Sequence, residues 1–195
     1  MKLPPTPRVL FLRELVGEVT RSYGHGRTMV AVDGVTDTAP FADDLAEVFR
    51  EAGYDTFRAS MTDFHRPRAD RTRLGPESAL DYYRGSFDYV TFRRVLIDPF
   101  RMAGSTGFQT AAFDERRDVP MESRWETTGQ DAVLVVDGEF LLRPELRGIW
   151  HYSVALVNTP QDAIYENDAE PRMWASALVD DSDPELPRRV FADSC

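Results

Sequence analysis

Two carboxylates, Asp33 and Asp137, each close an apolar run, TMVAVD and DAVLVVDG, where a strand would give way to a turn. If those runs lie in one parallel sheet, both side chains face the same crevice. Partial drying there would separate their pKa values into an acid and a base. Capping of the following turns through backbone N–H groups is the competing role for each. His65 titrates near neutrality and suits general acid–base work, or else anchors its loop. It opens the run HRPRADRTR, which holds four arginines on a chain of formal net charge −10. That contrast suggests an anionic ligand, with a solvated loop as the alternative. The pair Tyr82–Tyr83 reads as packing before it reads as a stacking platform. His25 and His151 lack the partner spacing of a metal site, so no metal is expected. The single cysteine, Cys195, is the last residue, which leaves no intrachain disulfide and makes a catalytic thiol unexpected.

The elements that would position these groups follow from periodicity. Residues 8–23 carry Leu12, Leu15, Val16 and Val19 at helical spacing and stop at Gly24. Residues 28–33 form a buried strand, and Phe41, Leu45, Val48, Phe49 and Ala52 line one face of the next helix, which ends at Gly53. Residues 54–60 alternate as a second strand and lead into the basic loop. Pro76 is placed to start a helix through SALDYYRG, and residues 88–98 give another amphipathic helix. GFQTAAFD and the segment around SRWET read as short strands or a hairpin. After the strand at 131–137, the run EFLLRPELRGIW is expected to be helical. HYSVALVN and SALVDD are further strands. Alternating strands and helices predict an α/β fold, a three-layer sandwich around a largely parallel sheet, with ligands at the carboxyl ends of the strands.

The 195 residues suffice for one compact domain. It is expected to comprise an N-terminal helix (1–24), a core (28–160) and a short C-terminal part (161–195). Net negative charge argues against nucleic acid or an anionic membrane surface as partner. No apolar run is long enough to span a bilayer, and the start fails as a signal peptide because Arg13 and Glu14 interrupt its apolar stretch. A cytoplasmic location is the expectation.

DGV…FADDLA, ASMTDFHRPR, DYYRGSFDY, FRRVLIDP, TAAFDERRDVP and VLVVDGEFLLRPEL occur in that order. Together they resemble the actinobacterial uridine kinase-like branch of the P-loop nucleoside kinases over roughly residues 28–160. The resemblance implies a P-loop kinase fold, ATP, magnesium and a nucleoside acceptor. Three departures bear on that activity. The phosphate loop, G-x-x-x-x-G-K-[ST] in the family, needs its lysine and hydroxyl to hold phosphates and metal. Laid from Gly34, this chain supplies Ala39, Pro40 and Phe41 instead, Pro40 lacks an N–H, and Asp37 adds negative charge. Thr38 is expected to cap the helix. Where the family resembles I-D-D-F-H and the first Asp is the base, Thr62 stands here. Asp63 follows it, but on an extended segment neighbouring side chains face opposite ways. Finally, the arginine-bearing lid expected after the strand ending at Asn158 is replaced by TPQDAIYENDAEPRMW, in which Arg172 is the sole basic residue.

The polar groups that fall in acceptor-side motifs by this resemblance are Asp33, Asp63, His65, Arg66, Arg68, Tyr82, Tyr83, Asp88, Asp114, Arg116, Arg117, Asp137 and Glu139. The expected function is a kinase-fold protein that has lost ATP-dependent phosphoryl transfer. It would keep the acceptor cleft for a small polar or anionic molecule, with Asp33, Asp63, His65 and Asp137 as acid–base candidates and no cofactor. Lyase, cyclase, isomerase or hydrolase chemistry in specialised metabolism would fit. The alternatives are a non-catalytic pseudokinase scaffold and an active nucleoside kinase with an unconventional phosphate loop. A crevice without a lid could also be covered by a second subunit, so a homodimer is compatible with the sequence.

Overall fold

The computed structural model describes residues 2–35, 38–73, 78–104, 106–157 and 162–191. Asp37, Pro76, Asn158 and Cys195 lie outside the described residues. The chain runs α1 (Pro7–Tyr23), β1 (Arg27–Asp33), α2 (Thr38–Glu51), β2 (Asp55–Ser60), then a 3-10 turn (Met61–Phe64) and α3 (Arg68–Arg71). Next come α4 (Ala79–Gly85) and α5 (Tyr89–Phe92), joined through a π-helical turn (Arg93–Ile97) to α6 (Asp98–Met102). The hairpin β3 (Phe113–Asp114) and β4 (Val119–Pro120) precedes β5 (Ala132–Gly138) and β6 (Tyr152–Leu156). Two short helices, α7 (Ala163–Ala169) and α8 (Pro171–Trp174), lead to β7 (Ala177–Asp180) and β8 (Arg188–Val190).

The main sheet has the order β2-β5-β1-β6-β7-β8, parallel except for the β7–β8 pair. The three strands with the longest apolar runs are its adjacent centre, because strands buried on both faces need helices above and below. Alternation along them divides the core in two. Val30, Val32, Val133 and Val135 face α1 and α2, whose Leu12, Val16, Phe41, Leu45 and Phe49 cover them. Met29, Ala31, Leu134 and Val136 face the other layer, with Phe64, Phe92, Phe100, Phe140 and Tyr165. Fully buried phenylalanines such as Phe41 and Phe49 each stabilise the fold by roughly 1.5–3 kcal/mol relative to exposure. That burial fixes where α2 begins, and hence what stands at the ends of the strands.

Three expectations change, and one strand was not expected. EFLLRPELRGIW is not an α-helix: it forms turns and a 3-10 turn, Arg147–Ile149. Phe140 adopts φ +63, Pro144 cannot donate, and the N–H groups of Leu141 and Leu142 are engaged by the Asp33 carboxylate and the Tyr165 hydroxyl. Helix α4 starts at Ala79, where Ser78 and Asp81 form a capping box. SRWET contributes only an isolated bridge, Glu126 to Phe108, while the hairpin is made by residues 113–120. Strand β8, with mixed polarity and three residues, carries no periodic signal and is held by pairing to β7.

Candidate active-site cleft

The carboxyl ends of β1, β2 and β5, the first turn of α2 and the turn after β5 enclose a cleft of about 320 Å3. Gly34, Thr38, Pro40, Thr62, Tyr82 and Glu139 are among its walls. Gly34 sits against Leu156, and a Cβ there would come within 2.9 Å of the Thr38 methyl, so the turn into α2 is tight. Thr38 lies inside the helix, and its hydroxyl donates to the Asp137 carboxylate at 2.7 Å rather than accepting from a helix N–H. The expected cap is thus a cross-link between α2 and β5.

Asp137 is buried and fully committed. Besides Thr38 it accepts from Arg58 at 2.9 Å, and Arg58 also bonds Asp43 at 2.9 Å and the Val135 carbonyl at 3.0 Å. Arg58 therefore neutralises carboxylates of the protein instead of facing the cleft as a free cation.

Asp33 does not share this crevice. Register pairs Val32 with Asp137 and Asp33 with Gly138, so the pleat sends Asp137 to the α2 face and Asp33 to the opposite face. There Asp33, 0% exposed, accepts the Leu141 N–H at 2.8 Å and the Tyr165 hydroxyl at 2.9 Å. Burial pushes its carboxyl up to about 7, with the Tyr165 and Leu141 hydrogen bonds opposing. The expected acid–base pair of Asp33 and Asp137 is separated by the sheet itself.

Two other carboxyls sit in a partly dry setting: Glu139 lines the cleft, whereas Asp63 lines neither cavity and feels the charges of Asp137 and Glu115 in the cleft wall. Glu139 is pushed up to about 7, first by burial, while the hydrogen bond from the Tyr82 hydroxyl pulls it down. Asp63 is pushed up to about 6 by burial and then by the charges of Asp137 and Glu115. The segment carrying it is not extended: Met61–Phe64 is a 3-10 turn, in which successive side chains diverge by about 120° rather than 180°. Thr62 lines the cleft and donates to the Ser60 hydroxyl at 3.1 Å.

His65 is 5% exposed and borders the cleft on one side. On the other it walls an outer cavity of about 590 Å3, shared with Arg66, Asp88, Arg94 and Trp125. Its ring stands edge-on to Phe87 at 4.4 Å. Asp88 holds Thr91 through its backbone N–H at 3.0 Å and hydroxyl at 2.7 Å, which keeps its carboxyl below the usual range against the effect of burial.

The remaining expected residues line neither cavity. Tyr83 is core: its ring packs edge-on against Phe140 and its hydroxyl donates to Asp168 at 2.6 Å. Arg68, Arg116 and Arg117 are exposed, and Asp114 accepts the Arg117 N–H at 3.1 Å inside the hairpin turn. Sequence reasoning missed Arg58, Glu115 and Tyr165. The charge of Arg58 midway along the strand YDTFRAS is a signal that could have found it, whereas Tyr165 carried no local signal. Among the described residues no group of three or more His, Cys, Asp or Glu side chains is arranged to hold a metal ion, and no helix is long and apolar enough to cross a membrane.

This architecture is similar to that of two solved structures. Over 88% of this chain and 96% of the other, it superposes on the structure of a possible uridine kinase from Bacillus stearothermophilus, with a TM-score of 0.71 and 21% identity. A protein named as a fructose transport system kinase from Silicibacter sp. TM1040 matches over 82% of this chain and 78% of its own, with a TM-score of 0.61 and 22% identity. No protein-family profile matches the sequence, and no curated protein is significantly similar to it. The chain has a P-loop kinase-like fold. The fold is similar to that of the possible uridine kinase, with only α7 and α8 described between β6 and β7.

Proposed function

We propose that this kinase-fold chain no longer transfers phosphoryl groups from ATP and uses the strand-end cleft for acid–base chemistry on a small polar molecule. The observation that carries the reading is the set of carboxylates, Asp137, Glu139 and Glu115, facing the amino end of α2. A helix start favours anions, and a kinase adds a lysine to hold them. Here no lysine stands between Gly34 and Phe41, Pro40 offers no N–H, and Arg58 is already paired. Phosphoryl transfer depends on positioning and charge neutralisation, and no arginine or lysine stands among the described residues that line this cleft.

The same groups suit proton transfer. Near pH 7 a carboxyl at about 7 is close to half protonated and one at about 6 is mostly ionised. Glu139 can therefore give a proton in the cleft, while Asp63, set behind the lining and coupled to Asp137 and Glu115, is the carboxyl to take one. Tyr82 lines the cleft beside Glu139 and holds its pKa down, and His65 stands between the cleft and the outer cavity. Lyase, cyclase, isomerase and hydrolase steps require no more than such an acid and base acting on a positioned substrate.

Thermal unfolding with ATP and magnesium tests the loss of nucleotide binding. A micromolar site filled at roughly a thousandfold its Kd would stabilise the fold by about 4 kcal/mol. No rise in Tm is expected. A clear rise that Asp137→Asn abolishes would defeat the proposal. Unaltered biological function in Asp63→Asn and Glu139→Gln would instead point to a non-catalytic scaffold.

A further inference from the structure

The opposite end of the sheet holds a separate cavity of about 500 Å3, at the start of β1. A seven-residue strand puts it about 20 Å from the strand-end cleft. Its polar walls are Arg27, Arg101, Gln130 and His151, and Ile149 and Trp150 supply an apolar side. Among the described residues no carboxylate lines it, on a chain of net charge −10. The neighbouring Asp131 is turned onto the Gly26 N–H at 2.6 Å.

Arg27 is the informative residue. It is 9% exposed; its Nη2 donates to the Thr128 carbonyl at 2.9 Å, and its guanidinium lies 5.0 Å from the centre of the Phe100 ring. Its Nε and Nη1 are closed off from solvent, with no hydrogen-bond partner among the described residues. Burial lowers its pKa and Asp55 is the acid that opposes this, yet a guanidinium remains charged at neutral pH. Those two atoms do not reach the cavity surface, so Arg27 acts on the cavity through a poorly compensated buried charge, which favours an anion beside it.

Two neighbours offer donors to the cavity. Arg101, in the last turn of α6, is exposed and makes no ion pair among the described residues. The Nδ1 atom of His151 accepts the Met29 N–H at 3.0 Å, which leaves the ring proton of the neutral imidazole on Nε2. Tyr23 holds that ring edge-on at 5.2 Å. Burial, then the Arg101 charge, keeps His151 below its ordinary pKa, so it acts as a neutral donor.

We propose that this cavity binds a small phosphomonoester, with Arg27 and Arg101 neutralising the phosphate, His151 and Gln130 donating to it, and Trp150 flanking the organic body. Two guanidiniums match a charge near −2 and three acceptor oxygens better than they match a single carboxylate. A volume of about 500 Å3 leaves room for more than the phosphate group.

Calorimetric titration of the full chain with phenyl phosphate, at ionic strength held constant with chloride, tests this. Saturable binding is expected, with Arg101→Gln weakening it about tenfold or more, as loss of a charge-assisted hydrogen bond should, and Arg27→Met weakening it through the lost charge. Met replaces the Arg27 stem without its charge; should that variant fail to fold, Arg101→Gln, an exposed and unpaired position, decides alone. Ala39→Asp, in the first turn of α2, is expected to leave the affinity unchanged. The proposal is overturned if Arg101→Gln retains wild-type affinity or if chloride alone reproduces the heat. It also fails if benzoate binds as tightly as phenyl phosphate, or if Ala39→Asp abolishes binding and so places the phosphate in the strand-end cleft.

Discussion

Replacing Asp33 by Asn should flatten the acid side of the stability profile. The wild-type carboxyl is fully buried, accepts from Leu141 and Tyr165, and is pushed up to about 7 by its burial. An aspartate in the unfolded chain titrates near 3.9. Between about pH 4 and pH 7 the folded chain therefore holds a proton that the unfolded chain has released. Stability falls as pH rises through that window and levels off above it. Three pKa steps at about 1.36 kcal/mol each set the contribution at no more than about 4 kcal/mol. Asn keeps an oxygen for the Leu141 N–H and carries no charge, and the Tyr165 hydroxyl can turn to meet its amide. Urea unfolding of both proteins at intervals from pH 4 to pH 8 provides the assay, because the difference between the curves isolates this group from Asp63 and Glu139. Wild type should lose several kcal/mol relative to Asp33→Asn across the range. Parallel curves, or a wild type that gains on the variant, would refute the reasoning.

Two further outcomes follow from the cleft. Arg58→Met leaves the buried Asp137 with Thr38 alone, and removal of one partner of a buried pair should cost about 3 kcal/mol. Adding Asp137→Asn should recover part of the loss in a double-mutant cycle followed by urea unfolding, whereas simple additivity would count against the pair. Tyr82→Phe removes the hydrogen bond that holds Glu139 down, so its pKa should move above the wild-type value of about 7. Carbon-13 NMR titration of the side-chain carboxyl reads this directly, and an unchanged or lower value would exclude the contact.

The sheet and its helices were legible because burial writes itself into period. Residues 28–33 and 131–137 are apolar on both faces and became adjacent central strands, and the stripe from Phe41 to Phe49 became the buried side of α2. The family-like motifs gave the fold for the same reason, since they record which strand ends must carry turns. EFLLRPELRGIW misled because its leucines do pack inward, as Leu141, Leu142 and Leu146 show. Apolar composition alone does not distinguish a helix from a buried turn whose N–H groups are bonded elsewhere.

The amino-acid sequence by itself determined the α/β order, the loop without lysine between Gly34 and Phe41, and the acidic character of the chain. Those properties belong to single residues and to neighbours along the chain. Only the tertiary structure decided that Asp33 and Asp137 part company, because a register of one residue between β1 and β5 sends them through opposite faces of the sheet. It also decided that Arg58 is tied to Asp137, that Glu139 and Tyr82 meet, and that Arg27, Arg101 and His151 gather around one cavity. Such encounters join residues distant in sequence. Their pKa values and idle donors arise from burial and from partners that no local pattern encodes.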